Sequence, residues 1–447
     1  MGGNAFAQAA AAGQPKLNTP RMTPKEYDEL KSIYLAKLQN CMPAAKVACL
    51  VEAPEKEDYG DMDILVAIDR KMDFINLATA IGAAGLICHS SGGHQMCSLA
   101  VPKDGSRHGD LPVVYKMVHE NAVHQTGVQL SIETTDEQYA QIDVEVIPTE
   151  MLEWHIFYSS YGDLSGLLGH TVKNLGLRIT DSGLWLQMIE LDVAKSVPVH
   201  DLADSDGRIF LSKEPAKVME FMGLRETTFD KGFATCDELY SWAASSRLLF
   251  PETVKSSWNK SNEGQRERKR GMYAVYFKEW LPLRMDMKPD QDEEERQQAI
   301  ARLRQDVQND AVGFFRKREE YDTKRHAIIL KTQNMIAANH LKPLVAKHSG
   351  TEGRKLAEVY RAFQRHVDFD SLGQPYVAET AHKNEQSQLY RFLADDGKTL
   401  KDPDGADAWV KEHWELLKTM LRQKGATGEA HADKGVVDKE KAAAGGD

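Results

Sequence analysis

Apolar residues recur along this chain in two different periods. Tyr27, Leu30, Tyr34 and Leu38 stand three or four positions apart behind Thr23-Pro24-Lys25-Glu26. Threonine caps, proline suits the first helical position and Glu26 closes a capping box, so a helix is expected here. Lys46 to Val51 reads as a strand, and Glu52 to Gly60 as a short polar loop. From Asp61 to Asp69 almost every residue after Asp63 is apolar. Such a run is a strand buried on both faces, placed centrally in a sheet. Asp73 to Gly85 predicts a helix with an Asp cap and a Gly stop. Strand-like runs follow at Gln95–Val101, Val128–Thr134 and Gln141–Pro148. Ser90-Ser91-Gly92-Gly93-His94 is Gly-rich, but it lacks the length and lysine of a phosphate loop and reads as a tight turn between a helix and a strand.

The period then becomes mixed. Glu150–Leu175 predicts one or two helices, and Thr180-Asp181-Ser182-Gly183 a hairpin turn between apolar runs. Glu214–Met222 is expected as a short helix ending at Gly223. Thr235-Cys236-Asp237-Glu238 is a second capping box. Beyond Pro289 the pattern is helical throughout. Ile300, Leu303, Val307, Ala311, Phe314, Tyr321 and Ile328 form a stripe. It reads as the buried face of a long helix or as a coiled-coil seam, the latter a route to self-association or a protein partner. The expected organisation is a flexible arm at 1–22, an α/β region at 23–150, an α+β middle at 151–288, a helical region at 289–423 and a disordered tail at 424–447.

Composition narrows the function classes. A chain of 447 residues with 42% hydrophobic residues has material for more than one core. The net charge of −11 argues against non-specific coating of nucleic acid and leaves room for a local basic surface. Cys41, Cys49, Cys88, Cys97 and Cys236 form no CxxC pair and no zinc spacing with histidine, so reduced thiols are expected. No apolar run is long enough to span a bilayer, and Met1 to Gln14 lack the features of a signal peptide or a mitochondrial presequence. The cytosol or the nucleus is the expected compartment.

The chemistry concentrates in Tyr59-Gly60-Asp61-Met62-Asp63-Ile64 and Gln141-Ile142-Asp143-Val144-Glu145. Side chains alternate along a strand, so Asp61 and Asp63 share a face, as do Asp143 and Glu145. Ionised carboxylates this close repel one another unless a cation neutralises them, and oxygen donors favour Mg²⁺ or Mn²⁺. A third carboxylate on a neighbouring strand completes a two-metal site with ions about 3.5–4 Å apart. The alternative is a DxD pair that simply faces water.

The order helix, strand, loop, DxD strand, helix, strands and a final Asp strand resembles the palm of the DNA polymerase β-like nucleotidyltransferase superfamily. The resemblance covers about a third of the chain. Tyr161-Gly162-Asp163-Leu164-Ser165-Gly166, Leu175-Gly176-Leu177, Phe210-Leu211-Ser212, Phe221-Met222-Gly223-Leu224 and Arg266-Glu267-Arg268-Lys269-Arg270-Gly271 look like an orphan phage, viral and fungal branch, extending the likeness to about residue 285. It implies an α/β palm with a mixed sheet and flanking helices. It also implies Asp61, Asp63 and Asp143 as catalytic and metal-binding residues, a nucleoside triphosphate as substrate, and RNA, DNA, a small molecule or a protein as acceptor.

One motif departs from that pattern. The superfamily's Gly-Ser loop is replaced by Glu52-Ala53-Pro54, leaving Ala53, Lys56 and Gly60 as the candidates for holding the nucleotide. Glu52 brings negative charge near phosphate, with Lys56 in the same loop to offset it. Lys255, Lys260, Arg266, Arg268, Lys269 and Arg270 form the most basic stretch, followed by Tyr273, Tyr276 and Phe277. That pairing of charge with stacking surface suits a nucleic-acid backbone or a triphosphate, and equally a solvated helix start. Two function classes follow: a metal-dependent nucleotidyltransferase, and a catalytically inactive binding protein on the same scaffold.

Overall fold

The computed structural model describes residues 3–91, 94–108, 112–115, 137–196, 203–256, 271–285, 292–382 and 387–420. It divides into two compact units, residues 1–187 with 209–317, and residues 188–208 with 318–447.

The first unit begins with α1 (Ala5–Ala11) and α2 (Pro24–Cys41), then β1 (Lys46–Cys49), β2 (Met62–Ala67), α3 (Phe74–Ile81), β3 (Gly85–Ser91), β4 (His94–Pro102), β5 (Val113–Tyr115) and β6 (Tyr139–Ile147). The strands form one mixed sheet in the order β1-β2-β6-β4-β3-β5. β2 lies parallel to β6, whereas β4 runs antiparallel to both β6 and β3. The expected capping box opens α2: Thr23 accepts from the Glu26 amide while Glu26 accepts from the Thr23 amide. Asp73 caps α3 as expected. That helix stops at Gly82, in the left-handed region at φ 77°, and Gly85 already belongs to β3. β3 is therefore an element the sequence pattern folded into the preceding helix, and the residues before and after Gly92-Gly93 belong to two paired strands, not to a helix and a strand, with Ser91 opposite His94.

Alternation along the strands builds two different faces. Met62, Ile64 and Val66 of β2, Ile142, Val144 and Val146 of β6, and Cys97, Leu99 and Val101 of β4 join one core with Tyr34 and Leu38 of α2 and Leu77 and Ile81 of α3. On the other face two smaller clusters form. Phe6 and Ala9 of α1 pack with Leu17, Ala84, Ile87, Ala100, Tyr115 and Tyr139. Leu65, Ala67 and Ile147 pack with Leu50 and with Leu152 and Ile156 of α4 (Leu152–Ser159).

The segment expected as a flexible arm is thus built into the fold. Phe6 is fully buried, the Tyr139 amide donates to Asn18, and Met22 exchanges two backbone hydrogen bonds with Tyr59. A single large apolar residue among alanines leaves no periodic stripe to read, so only the burial of Phe6 reveals the element. The expected strand Val128–Thr134 and the tail 424–447 lie outside the described residues.

The rest of the unit carries α5 (Leu164–Lys173), the hairpin β7 (Leu177–Thr180) and β8 (Gly183–Gln187), β9 (Arg208–Ser212), α7 (Pro215–Met222), α8 (Glu226–Lys231), α9 (Cys236–Ala244), α10 (Pro251–Ser256), α11 (Gly271–Ala274) and α12 (Glu293–Phe314), with α6 (Ile189–Ser196) in the second unit. Glu150–Leu175 resolves into the two helices α4 and α5, and α7 ends at Gly223 in the left-handed region.

The second unit is mainly helical. α13 (Arg318–Ser349) and α14 (Gly353–His366), a short hairpin of β10 (Val367–Phe369) and β11 (Pro375–Val377), and a helix over 403–420 enclose Leu341, Val345, Phe363, Phe392, Val410 and Leu417. The boundary differs from the expected 288/289. The helical stripe breaks after Phe315, where Arg316 sits at φ 55°, so Ile300, Val307 and Ala311 are buried in one unit and Tyr321 and Ile328 in the other. Helical periodicity runs through such a break unaltered, which is why sequence does not mark it. Among the described residues no helix is long and apolar enough to cross a membrane.

Candidate carboxylate site

Asp63 and Asp143 stand directly opposite each other on the parallel pair β2 and β6. Their neighbours Met62, Ile64, Ile142 and Val144 all point into the helix-covered core, so both carboxylates lie on the other face. Along these strands they are followed by Leu65, Ala67 and Ile147 of the α4 cluster. On β6 they are preceded by Gln141 and by Tyr139 of the α1 cluster. The polar site is therefore a gap between two apolar clusters on one sheet face. Asp61 is half-buried immediately before β2.

Burial and like charge act together here. Asp63 is pushed up to about 7, first by desolvation and then by Asp61, Asp143 and Glu52, with Lys56 opposing. Asp143 is pushed up to about 6, again mainly by desolvation, and Asp61 adds to it. Ser98 and Gln141 pull the other way by donating hydrogen bonds. Gln141 Nε2 lies 3.0 Å from Asp143 Oδ1. Ser98 sits opposite Asp143 on β4, is buried, and its Oγ is 2.8 Å from His89 Nε2. Carboxylates held in a poorly solvated gap at this mutual cost are suited to a hard divalent cation with oxygen ligands. Among the described residues, however, no three His, Cys, Asp or Glu side chains are gathered at ion-binding spacing.

The loop before β2 is tied down on all sides. Glu52 accepts from the Tyr27 hydroxyl at 3.3 Å and from Lys56 Nζ. Lys56 also lies over the ring of Tyr59, which stacks on Tyr27 with centroids 4.1 Å apart. Val51 donates to Ser160 Oγ and accepts from the Tyr161 amide. Pro54 and Glu55 receive the Sγ and backbone N–H of Cys236 at the start of α9. Lys56 therefore offsets Glu52 directly while its charge still reaches Asp63. Ala53 packs close to Gly162, and Gly60 is buried beside Asp61.

Residues 257–270, which hold Lys260, Arg266, Arg268, Lys269 and Arg270, lie outside the described residues. Lys255 lies in α10. A cation the sequence pattern did not single out is Arg21, which pairs with Asp58 at 2.8 Å and is held up electrostatically by Asp61 as well. Ser98, Gln141 and His89 were not foreseen either. The odd-numbered register of β6 was the available signal for Gln141, whereas Ser98 required knowing that β4 is the neighbour of β6. The sequence matches no protein-family model and no curated protein sequence.

Proposed function

We propose that residues 23–150 form a nucleotidyltransferase palm of the DNA polymerase β type, and that the chain transfers a nucleotide from a nucleoside triphosphate to a hydroxyl acceptor. The observation that carries this reading is the in-register pair Asp63 and Asp143, with Asp61 alongside, between two apolar clusters on one sheet face. Asp61 and Asp63 would hold both of two Mg²⁺ or Mn²⁺ ions, and Asp143 one of them. Ions so bound would stabilise charge in an in-line displacement and ease deprotonation of the attacking hydroxyl. Asp143 would also accept that proton, with Gln141 Nε2 donating to its Oδ1 at 3.0 Å. Lys56 and Arg21 supply positive charge near the carboxylates for the triphosphate.

The rival reading, a binding protein on the same scaffold, draws on Glu52 and its pairing with Lys56, which places a carboxylate where phosphate would lie. A thermal-shift scan of each nucleoside triphosphate with Mn²⁺ separates the two. Under the enzyme reading Tm rises with at least one nucleotide, and the rise disappears in Asp61→Asn with Asp63→Asn. Incubation with labelled triphosphates and total RNA, DNA or lysate then identifies the acceptor. Absence of any nucleotide-dependent shift and of any labelled product would favour the rival.

A further inference from the structure

Gln141 is 2% exposed, and both ends of its amide are engaged. Its Oε1 accepts the Ala5 backbone N–H at 3.1 Å, and its Nε2 donates to Asp143 at 3.0 Å. A carboxamide has one accepting and one donating end. Reversing it would set its oxygen against the carboxylate and its NH₂ against another N–H. The Ala5 amide and the Asp143 carboxylate therefore select the same orientation of Gln141, and the amide holds its far end in place.

Ala5 is held there by its neighbours. Phe6 is fully buried between Leu17 and Tyr115, meeting the Tyr115 ring edge-on at 5.4 Å. Gly3 is in the left-handed region at φ 83°, and a β-carbon at this position would overlap the carbonyl of Gly60. Gly60 directly precedes Asp61. The segment Gly3–Phe6 thus runs from the backbone beside Asp61 to the side chain that grips Asp143.

We infer that Gly3–Phe6 is a positioning element of the carboxylate site: through the Gln141 amide it restrains the Asp143 side chain with which a divalent cation would be bound. This rests on the reading that the carboxylates bind such an ion. Partners that orient metal-binding side chains typically matter by about 10–100-fold in affinity.

The test measures Mn²⁺ affinity of the full chain by electron paramagnetic resonance, with circular dichroism to verify folding. Phe6→Asp unseats the segment, Gly3→Ala adds a methyl that does not fit, and Gln141→Leu removes the link. Each is expected to weaken Mn²⁺ binding by about tenfold or more, whereas Phe6→Leu, which keeps an apolar anchor, binds as the parent does. Combining Phe6→Asp with Gln141→Leu should weaken binding no further than either alone, because both break one chain of contacts. Folded variants that bind as tightly as the parent would overturn the inference and leave the metal reading standing. Tighter binding after Phe6→Asp would also overturn it, since the segment would then obstruct the site. A parent chain that binds no Mn²⁺ would remove the metal reading, and the inference with it.

Discussion

The two faces of β2 and β6 are built from alternating residues of the same strands, and they follow opposite rules. Met62, Ile64, Val66, Ile142 and Val144 contribute only hydrocarbon to a core sealed by α2 and α3. One position along, Asp63, Gln141 and Asp143 occupy a gap between the α1 and α4 clusters, where burial raises the energy of the charged carboxylates. The first face holds the fold together. The carboxylates on the second exact a cost in stability when they are charged. Hydrocarbon and buried charge are thus separated by a single step of the strand, and removing charge from one side should act on stability in the opposite direction from removing hydrocarbon from the other.

The largest effect is expected on the core face. Ile142→Ala leaves a cavity between Met62 and Leu99 and should cost roughly 2–5 kcal/mol, read from urea unfolding. If it costs less than Asp63→Asn does, the division between the faces fails.

Asp63→Asn should act in the other direction when no metal is present. Asp63 titrates at about 7 in the folded chain, against about 3.9 for an exposed aspartate. The folded state then holds more protons than the unfolded state across that window, so this group makes stability fall as pH rises from about 4 to about 7. Asp143 acts with the same sign up to about 6. Removing the charge of Asp63 should flatten the fall and stabilise the chain at pH 8. Unfolding midpoints at pH 5 and pH 8 in chelator-treated buffer test this, and a loss of stability at pH 8 would refute it.

Ser98→Ala is the smallest and sharpest change. Loss of one hydrogen bond should cost about 1 kcal/mol. Because Ser98 holds the Asp143 pKa down, its removal should also move the Asp143 titration upward, observable by carboxyl carbon NMR. An unchanged titration would show that Ser98 only fills space.

Much of this contrast was legible in the chain itself. Alternation put Asp61 with Asp63 and Asp143 with Glu145, and the capping residues Thr23, Asp73 and Thr235 begin helices where the pattern places them. Those features depend on neighbours a few residues apart, which the sequence states directly. Strand order is different in kind. That β6 inserts between β2 and β4, setting Asp63 and Ser98 on either side of Asp143, depends on which apolar surfaces bury one another across the whole unit. The same holds for Ala5, whose amide reaches Gln141 across 136 positions, and for Glu52, whose charge is answered within its own loop by Lys56 and Tyr27. The sequence by itself determined which residues share a strand face. Only the tertiary structure decided which strands became neighbours and which donors reached the carboxylates, because those contacts follow from long-range burial and carry no local period.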